Sequence, residues 1–436
     1  MTRRNALART VALAAAATLA LAACSGASEG NGDGEPTADQ TSDSGDGGDA
    51  PAPSGDALFI GSFLPSTGAL AYLGPPEIAG VDLAVNEINE AGGLFGQDVA
   101  VQHEDSSDTD NPQIGSQSIT TLLNAGVDAI VGAASSGVTL NVIDDVVNSG
   151  TLMISPANTA TTLSGYSELF FRTSPPDTVQ GDALANLMMA DGHENIGILV
   201  FNEDYGTSLR DVVVDVVEGA GNTITYGQQG QEFDTNAPGF STEVQAILAT
   251  NPDAIALIAF DQTVSIVPEL IGSGFAAENI YLVDGNTADY SEDFDAGVLT
   301  GAKGTIPGAF PDAAFQERLN GAWGSTLTSF AYGPEAYDAT LLVALAALKA
   351  GSPDATAIGE NMAAVSGANG GTECTGWVEC SDLVTAGEDI IYQASSGVGP
   401  FNAANDPSSA WIGVYVYDEN NVPVWTDAQF GEVPQG

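Results

Sequence analysis

The sequence predicts an α/β fold with two doubly wound parallel-sheet lobes that are joined by a hinge and enclose a cleft. From Ala57 onward, short apolar runs alternate with amphipathic helical windows, which is the pattern of successive β–α–β units. The pattern runs twice, once before and once after Phe171-Arg172-Thr173. Each series is long enough for one parallel sheet with helices on both faces, so we expect two such sheets.

The first series opens on an apolar strand at residues 58–61. Pro76 suits the first turn of the helix that follows, and Gly92-Gly93 suits its end. The same alternation of a strand and a one-sided apolar helix then repeats. The predicted elements of this series are strands at 58–61, 99–103, 129–131 and 152–154, and helices at 76–91, 112–125 and 138–148.

The second series has the same architecture, although its sequence does not repeat the first. An Ala-rich helix is predicted later in the chain, at 335–350, and the tail predicts a β-hairpin around Asp418 to Asn421. The predicted elements are strands at 196–201, 224–226, 254–260, 280–283, 411–417 and 422–425, and helices at 205–220, 240–249 and 265–273.

The N-terminus has the pattern of an export signal. Three arginines precede an Ala/Leu-rich run, and Leu21-Ala22-Ala23-Cys24 follows it. This block resembles the lipobox of bacterial lipoproteins, in which the cysteine becomes the lipidated first residue of the mature chain. We therefore expect a signal peptide at 1–23 and a lipid anchor on Cys24 at the outer face of the cell membrane. An ordinary secretory signal is the alternative.

Residues 24–56 predict a disordered acidic linker, since this Gly/Ser/Asp/Pro-rich stretch holds eight acids, no base and no aromatic residue. Without the signal, 58 acids face five bases, which gives a net charge of −53. No basic patch can be assembled from five bases, so binding of nucleic acid is excluded. Such acidity fits either a saline habitat or the solubility of a surface protein.

Two consecutive strand ends lead into small polar loops. The strand at 129–131 leads to Ser135 and Ser136, and the strand at 152–154 leads to Ala157 and Thr159. Neither loop contains a charged side chain. Hydroxyls and backbone N–H groups in this arrangement predict a neutral binding site for a small anion such as a carboxylate, although serine and threonine also cap helices routinely.

The motifs of common enzymes are absent from the sequence. It contains no G-x-S-x-G, no H-E-x-x-H and no phosphate-binding P-loop, so we predict a protein that is not an enzyme and has no cofactor. The acidic segment from Asp105 to Asn111 lacks the glycine and the closing glutamate of a calcium loop, and we predict no metal site. Cys374 and Cys380 favour a disulfide in an exported protein, because a zinc site would need two further ligands.

The chain from Phe59 to about Trp425 resembles the binding proteins of branched-chain amino acid ABC transporters, the leucine/isoleucine/valine-binding type. The resemblance is carried by STGALAYLG and EIAGVDLAVNEINEAGGLFG at 66–96, by GAASS, LMISPANTATTL and FFRTSP at 132–175, and by NEDYGTSL at 202–209 and LVDGN at 282–286. It implies a first lobe of residues 57–175 and 309–395 and a second lobe of residues 176–308 and 396–436.

The resemblance also implies roles for individual residues. Ser136, Ala157 and Thr159, with Ser135 beside them, would hold the carboxylate of an amino acid. Asp284 would accept its ammonium group, although the family often has a glutamate there, and Asp261 is the rival acceptor. The predicted site is completed by two rings that would close over the ligand's side chain, those of Tyr72 and Tyr205. Arg172 is expected to form a structural ion pair near the hinge.

The resemblance implies a monomeric extracytoplasmic binding protein that closes on a small apolar amino acid and delivers it to an ABC permease in the membrane. Two alternatives stay open. The same fold could bind an amide, urea or an aromatic or organic acid, or the protein could be the ligand-sensing partner of a signalling receptor.

Overall fold

The computed structural model of the chain describes residues 57–434. Its strands and helices are numbered in chain order. The strands are β1 Phe59–Leu64, β2 Ala100–Asp105, β3 Ala129–Gly132, β4 Leu152–Ser155, β5 Phe170–Arg172, β6 Asn195–Val200, β7 Thr223–Tyr226, β8 Ala254–Ile258, β9 Ile280–Leu282, β10 Lys303–Pro307, β11 Thr372–Cys374, β12 Ile390–Tyr392, β13 Ser409–Tyr417 and β14 Pro423–Glu432.

Eleven α-helices lie within the described residues, and short 3₁₀ turns supplement them. Their bounds are α1 Gly74–Glu90, α2 Pro112–Ala125, α3 Ser136–Asn148, α4 Asp177–Ala190, α5 Asp204–Gly219, α6 Ser241–Leu248, α7 Thr263–Gly272, α8 Ala313–Trp323, α9 Gly333–Ala350, α10 Ala355–Ser366 and α11 Gly376–Thr385.

The first sheet has five parallel strands in the order β2-β1-β3-β4-β5. Successive side chains of its strands point to opposite faces, and the apolar core follows that alternation. On β3, Ala129 and Val131 pack into the core with α1 and α9, whereas Ile130 packs into the core with α2 and α3. The sheet is therefore covered on both faces, as the continuous apolar runs predict.

The second sheet has seven strands in the order β14-β13-β10-β9-β8-β6-β7. Its parallel part, β6 to β10, is extended by the antiparallel hairpin of β13 and β14. The strands of this sheet and the helices that cover it share one large apolar core. The predicted class, two doubly wound lobes, is confirmed.

The chain passes between the two lobes more than once. After β10 it leads into α8, which packs on α1 of the first lobe together with α9. Gly80 allows the close approach of α1 and α9, because a Cβ atom there would lie 2.3 Å from the Gly333 carbonyl oxygen. Arg172 forms a buried ion pair with Asp406 at 2.7 Å, which joins distant parts of the chain, as expected for this residue.

Among residues 57–434, no single helix is both long and apolar enough to cross a membrane. α9 and α10 meet those criteria only as a pair, and the pair is bent by 107°. The predicted signal peptide, the linker and the lipid anchor on Cys24 lie outside the described residues.

Candidate functional site

The site lies where strand ends of the two sheets face one another. In the first sheet the order of the strands reverses between β1 and β3, and in the second it reverses near β6 and β8. Loops beyond the carboxyl ends of strands at such points are the usual ligand sites of doubly wound sheets. A cavity of about 20 Å³ lies between these loops. Six of the seven predicted ligand-binding residues line it, namely Ser135, Ser136, Ala157, Thr159, Tyr205 and Asp284.

Tyr72, the seventh predicted residue, contacts the same site from the first lobe. Its hydroxyl donates a hydrogen bond of 2.7 Å to the backbone carbonyl of Asp284 in the second lobe. The structure thus brings all seven residues together. The cavity, however, is far smaller than the few hundred Å³ of a typical ligand pocket. An amino acid can enter only if the lobes separate.

Asp284 is the acidic centre of the site. Its side chain is buried, and its two oxygens accept hydrogen bonds from the hydroxyls of Tyr205 at 2.5 Å and Tyr332 at 2.6 Å. Burial raises the pKa of Asp284, and the two tyrosine hydroxyls act in the opposite direction. A carboxylate has about four lone-pair sites, so acceptor capacity remains for a cation.

The first-lobe side of the cavity carries no charged group. Ser135 caps α3, since its side chain accepts a bond from the Val138 N–H at 3.2 Å. The hydroxyl oxygen of Ser136 accepts bonds from the N–H groups of Thr159 at 3.3 Å and Ala160 at 3.2 Å. Both serines therefore hold the loops in place through hydrogen bonds. The alternative role given above, capping of a helix, applies to Ser135.

The donors available to a ligand are fewer than the sequence suggested. The Ala157 N–H donates to the Ser155 hydroxyl at 3.2 Å, and the Thr159 N–H is bonded to Ser136. The Thr159 hydroxyl, by contrast, is buried and has no hydrogen-bond partner in the described part of the chain. It lines the cavity, and together with the Ser136 O–H it is the natural donor for an anionic group.

Three residues of the site were missed by the sequence analysis. Tyr332 begins α9 with a left-handed backbone (φ 60°) and bonds to Asp284. Glu203 follows β6; its carboxylate caps α5 and also accepts the N–H of Gly137 across the cleft at 3.1 Å. Asp177 begins α4; both its carboxyl oxygens are buried and, among residues 57–434, have no hydrogen bond of regular geometry. The available signal in the sequence was a polar residue at the start of a helix that follows a strand. Because most such residues are helix caps, this signal did not indicate a binding site.

Burial changes the acidity of two of these missed residues. It raises the pKa of Glu203 to about 7, against the effect of backbone N–H groups that include Gly137. It also raises the pKa of Asp177 to about 7, although the hydroxyls of Ser208 and Thr159 lie near enough to lower it. Acid groups of this kind become neutral in the closed cleft near pH 7.

Asp261, the rival ammonium acceptor, lies at the margin of the site. Asp261 is exposed and does not line the cavity, whereas Phe260 stacks on Tyr205 with ring centroids 5.7 Å apart.

In the Asp105–Asn111 segment, Asp105 accepts the N–H groups of Ser66 and Thr67. Residues 57–434 contain no cluster of three or more His, Cys, Asp or Glu side chains placed to hold a metal ion.

Cys374 and Cys380 form a disulfide, as predicted. It links β11 to α11, and both cysteines are buried in the apolar core that includes α1 and α9. The bond therefore serves the stability of this core and does not line the cleft.

Comparison with known proteins places these features in context. The chain is 28% identical over 371 residues to the chemotactic signal transduction system substrate-binding protein BasB of Halobacterium salinarum, covering 82% of this chain and 86% of the relative. A Streptococcus pneumoniae branched-chain amino acid transporter substrate-binding protein, LivJ, solved with isoleucine, superimposes with a TM-score of 0.70 at 20% identity; the match covers 87% of this chain and all of that one.

A third similar structure is an ABC transporter solute-binding protein of R. palustris in complex with 4-hydroxybenzoate. Its TM-score is 0.68 at 15% identity, and the match covers 86% of this chain and 97% of that one. At such identities the two structures show the fold alone. The family model described as "Periplasmic binding protein" matches residues 57–380. The chain has two doubly wound lobes around a cleft whose polar groups come from both lobes. It belongs to the periplasmic binding protein family.

Proposed function

We propose that this protein is the extracytoplasmic solute-binding component of an ABC importer and that it binds a small amino acid with an apolar side chain. The observation that carries the proposal is the opposition of Asp284, on the second lobe, to the uncharged Ser136 and Thr159 hydroxyls on the first. An α-amino acid carries one cation and one anion on adjacent carbons, and this pair of surfaces offers one complement for each.

The ammonium group would bind at Asp284. An ammonium placed against the carboxylate would compensate for its burial and lower its pKa, which stabilises the ionised form of Asp284. Tyr205 and Tyr332 would keep the carboxylate in position through their hydroxyl groups. Calorimetry in buffers of different ionisation enthalpy measures whether protons are released when the ligand binds.

The carboxylate group would bind at the Thr159 and Ser136 hydroxyls, near the N-terminus of α3. The positive end of that helix favours an anion without any basic side chain. The ligand's side chain would pack against the aromatic rings of Tyr72, Tyr205 and Phe260, which argues for an apolar amino acid.

Closure of the lobes would then complete the site and form the surface that the permease recognises. The bonds from Tyr72 and Tyr332 to Asp284, and from Gly137 to Glu203, are the contacts that would stabilise the closed form. In this proposal no covalent step occurs, the protein is a monomer, and the lipid on Cys24 keeps it beside the membrane.

The deciding experiment is isothermal titration calorimetry with the twenty amino acids at high salt, which screens the net charge. We expect binding of apolar amino acids, with a closed form that is more compact by X-ray scattering. Binding of amides or aromatic acids, with none of the amino acids, would overturn the amino-acid proposal in favour of the alternative represented by the 4-hydroxybenzoate complex.

A sensory role is the second candidate, and the similarity to a chemotactic substrate-binding protein favours it. Both roles use the same cleft and closure. Uptake of labelled ligand by cells with and without this gene separates them, because a purely sensory protein leaves uptake unchanged.

A further inference from the structure

Asn158, in the loop after β4, carries a buried amide and lines the cleft cavity. The residue is only 1% exposed. Its backbone N–H donates to the Ser155 hydroxyl at 3.0 Å, and its backbone carbonyl accepts the Ser174 hydroxyl at 2.7 Å. Both backbone groups of Asn158 are therefore bonded within the protein, and only its side chain can serve a ligand.

The hydrogen-bond network fixes the orientation of the Asn158 amide. Its Nδ2 atom donates to the Thr139 hydroxyl oxygen at 2.9 Å and faces the Ala133 carbonyl oxygen at 3.5 Å. The Thr139 hydroxyl gives its own proton to the Ser135 carbonyl at 2.9 Å, and the Ala133 carbonyl has no proton to give. Because both neighbours can only accept, the amide must turn its NH₂ group towards them and its Oδ1 atom away from them.

The Oδ1 atom of Asn158 is buried and has no hydrogen-bond partner among residues 57–434. An acceptor in this state costs free energy, because it has lost its contact with water and forms no other bond. The other polar atoms of Asn158 are bonded, as described above. The residue therefore presents one available acceptor and no available donor.

The cavity lined by Asn158 has the size of one small polar group. Its volume of about 20 Å³ is close to what a single water-sized group requires. Asn158 and Thr159 line it from the first lobe, and Asp284 lines it from the second. Asp284 keeps acceptor capacity, because each of its oxygens takes only one tyrosine hydroxyl. Residues of both lobes thus bring acceptors to the same small volume.

An acceptor of this kind selects a donor as its partner. A ligand carboxylate cannot bond to the Asn158 Oδ1 atom, because neither of the two groups has a proton to donate. A primary ammonium group carries three N–H donors and can bond to Asp284 and to Asn158 at once. The Thr159 hydroxyl, on the next residue, stays available for the carboxylate, which an α-amino acid carries on the same carbon as its ammonium group.

We propose that the Asn158 Oδ1 atom is the first-lobe acceptor for the ligand's ammonium group and that it selects primary amino acids over organic acids without an amine. The inference rests on the proposed function and adds a specificity-determining residue to that site. An ammonium group shared by Asp284 and Asn158 joins the two lobes, so the amine itself contributes to closure. An organic acid would leave both acceptors buried and unpaired, and a site built on such groups rejects a ligand that lacks the donor.

The test compares leucine with 4-methylpentanoate, which is leucine without its amine, in calorimetry with the full chain at high salt. Asn158→Ala should weaken leucine binding at least about tenfold, because a hydrogen bond to a charged group is lost. The affinity for 4-methylpentanoate, measured by competition with leucine, should not fall by more than about twofold, since this ligand has no donor for Oδ1. If another apolar amino acid binds more tightly than leucine, that amino acid and its amine-free acid replace this pair.

Two variants serve as matched controls. Thr159→Val should weaken both ligands alike, since it acts on the carboxylate that they share. Asn89→Ala removes an amide of the same lobe, which forms two bonds with Val99 at 2.7 and 3.0 Å and does not line the cavity. It should lower stability in thermal unfolding and leave the preference for the amine unchanged. A lost preference in Asn158→Ala then reports the acceptor and not a weakened fold.

Asn158→Ala should fold, because both groups that its Nδ2 atom faces keep another partner. The Thr139 hydroxyl donates to the Ser135 carbonyl, and the Ala133 carbonyl accepts the Ser155 hydroxyl at 2.6 Å. Thermal unfolding of the variant measures this directly.

A crystal structure of the leucine complex gives a second, direct measurement. We expect the ligand's nitrogen within about 2.7–3.2 Å of Asn158 Oδ1 and of one Asp284 oxygen. A nitrogen beyond hydrogen-bond distance of Oδ1, unchanged leucine affinity in Asn158→Ala, or equal weakening of both ligands would overturn this inference and leave the amino-acid function standing. The absence of binding by all twenty amino acids would overturn that function and this inference together.

Discussion

The first-lobe face of the cleft carries hydroxyls and no charged side chain, whereas the second-lobe face carries the carboxyls of Asp284 and Glu203. On the first lobe, most polar groups of the cavity already bond to one another, and among the described residues the Thr159 hydroxyl and the Asn158 Oδ1 atom are buried there without a hydrogen-bond partner. On the second lobe, each carboxyl oxygen of the buried Asp284 accepts one hydrogen bond from a tyrosine. In the proposed function, the first face would bind the ligand through its shape and a few hydrogen-bond donors, and the second through charge.

The strongest test of this comparison removes the charge of the second face. Asp284→Asn should weaken amino-acid binding by about 2–5 kcal/mol, or at least about 30-fold, because a buried ammonium loses its charged partner. Calorimetry measures the affinity, and thermal unfolding checks that the fold is retained. Asp261→Asn, at an exposed neighbouring acid, is the control. If the two variants bind equally well, the ammonium acceptor lies elsewhere.

The next test concerns Asp177, the buried acid behind the cleft. The pKa of Asp177 is raised from the ordinary value of 3.8 to about 7 in the folded protein. Between these two pH values the folded protein keeps a proton that the unfolded chain has lost. Its contribution to stability is therefore complete at low pH and is lost as pH rises through 7. The change amounts to as much as about 4 kcal/mol at about 1.4 kcal/mol per pKa unit.

Asp177→Asn should remove this part of the pH dependence, because asparagine imitates the protonated acid. The neighbours of the carboxyl that set its pKa are Thr159, Ser208, Asp284 and Arg172, and all stay in place in the variant. Urea unfolding of both proteins at pH 5 and pH 8 gives the comparison. The same loss of stability in both proteins between these pH values would show that Asp177 is ionised throughout.

A third test addresses the uncharged face. Thr159→Val should weaken binding by about 1.5–3 kcal/mol, roughly 10- to 100-fold, since the ligand's carboxylate loses a hydrogen bond. Thermal unfolding measures the effect on stability separately, because the Thr159 hydroxyl also lies near the Asp177 carboxyl. Ser62→Ala removes another buried, unpartnered hydroxyl, on β1, and should not alter the affinity. Unchanged binding by Thr159→Val would remove this residue from the site.

The smallest expected effect concerns closure. A Cβ atom at Gly137 would lie 2.2 Å from the Glu203 Oε1 atom, so Gly137→Ala should hold the lobes slightly apart. We expect every ligand of the cleft to bind more weakly by about 1–3 kcal/mol, which is the usual cost of local overpacking. Gly219→Ala, at the opposite end of α5 with open space around it, is the control. X-ray scattering of the liganded variants would show whether closure is affected.

The sequence predicts much of this architecture because local patterns determine it. The helix predicted at 112–125 coincides with α2, and the hairpin predicted in the tail is present as β13 and β14. α4 was missed, since it buries polar residues such as Asp177 and Gln180 and shows no clear apolar face. The connections around α8, α10 and α11 were missed too, because they interrupt the β–α–β alternation.

The site was predictable only in part. Loops after adjacent parallel strands must meet, and so Ser136 and Thr159 could be placed together from the sequence. Tyr332 stands just before α9, more than 150 residues later, and only packing of α9 on α1 brings it near. Whether a serine is free or bonded also depends on tertiary contacts, as Ser135 and Ala157 show.

The position of the tail in the second sheet has a consequence for biosynthesis. β10 lies between β9 and β13, and β13 and β14 are made only after the chain has returned from the first lobe. The first sheet likewise receives its cover of α8 to α11 late in the chain. Neither lobe can be completed before part of the other has been synthesised. A chain that stops before Ser409 would present β10 as an open edge, ready to pair with another copy.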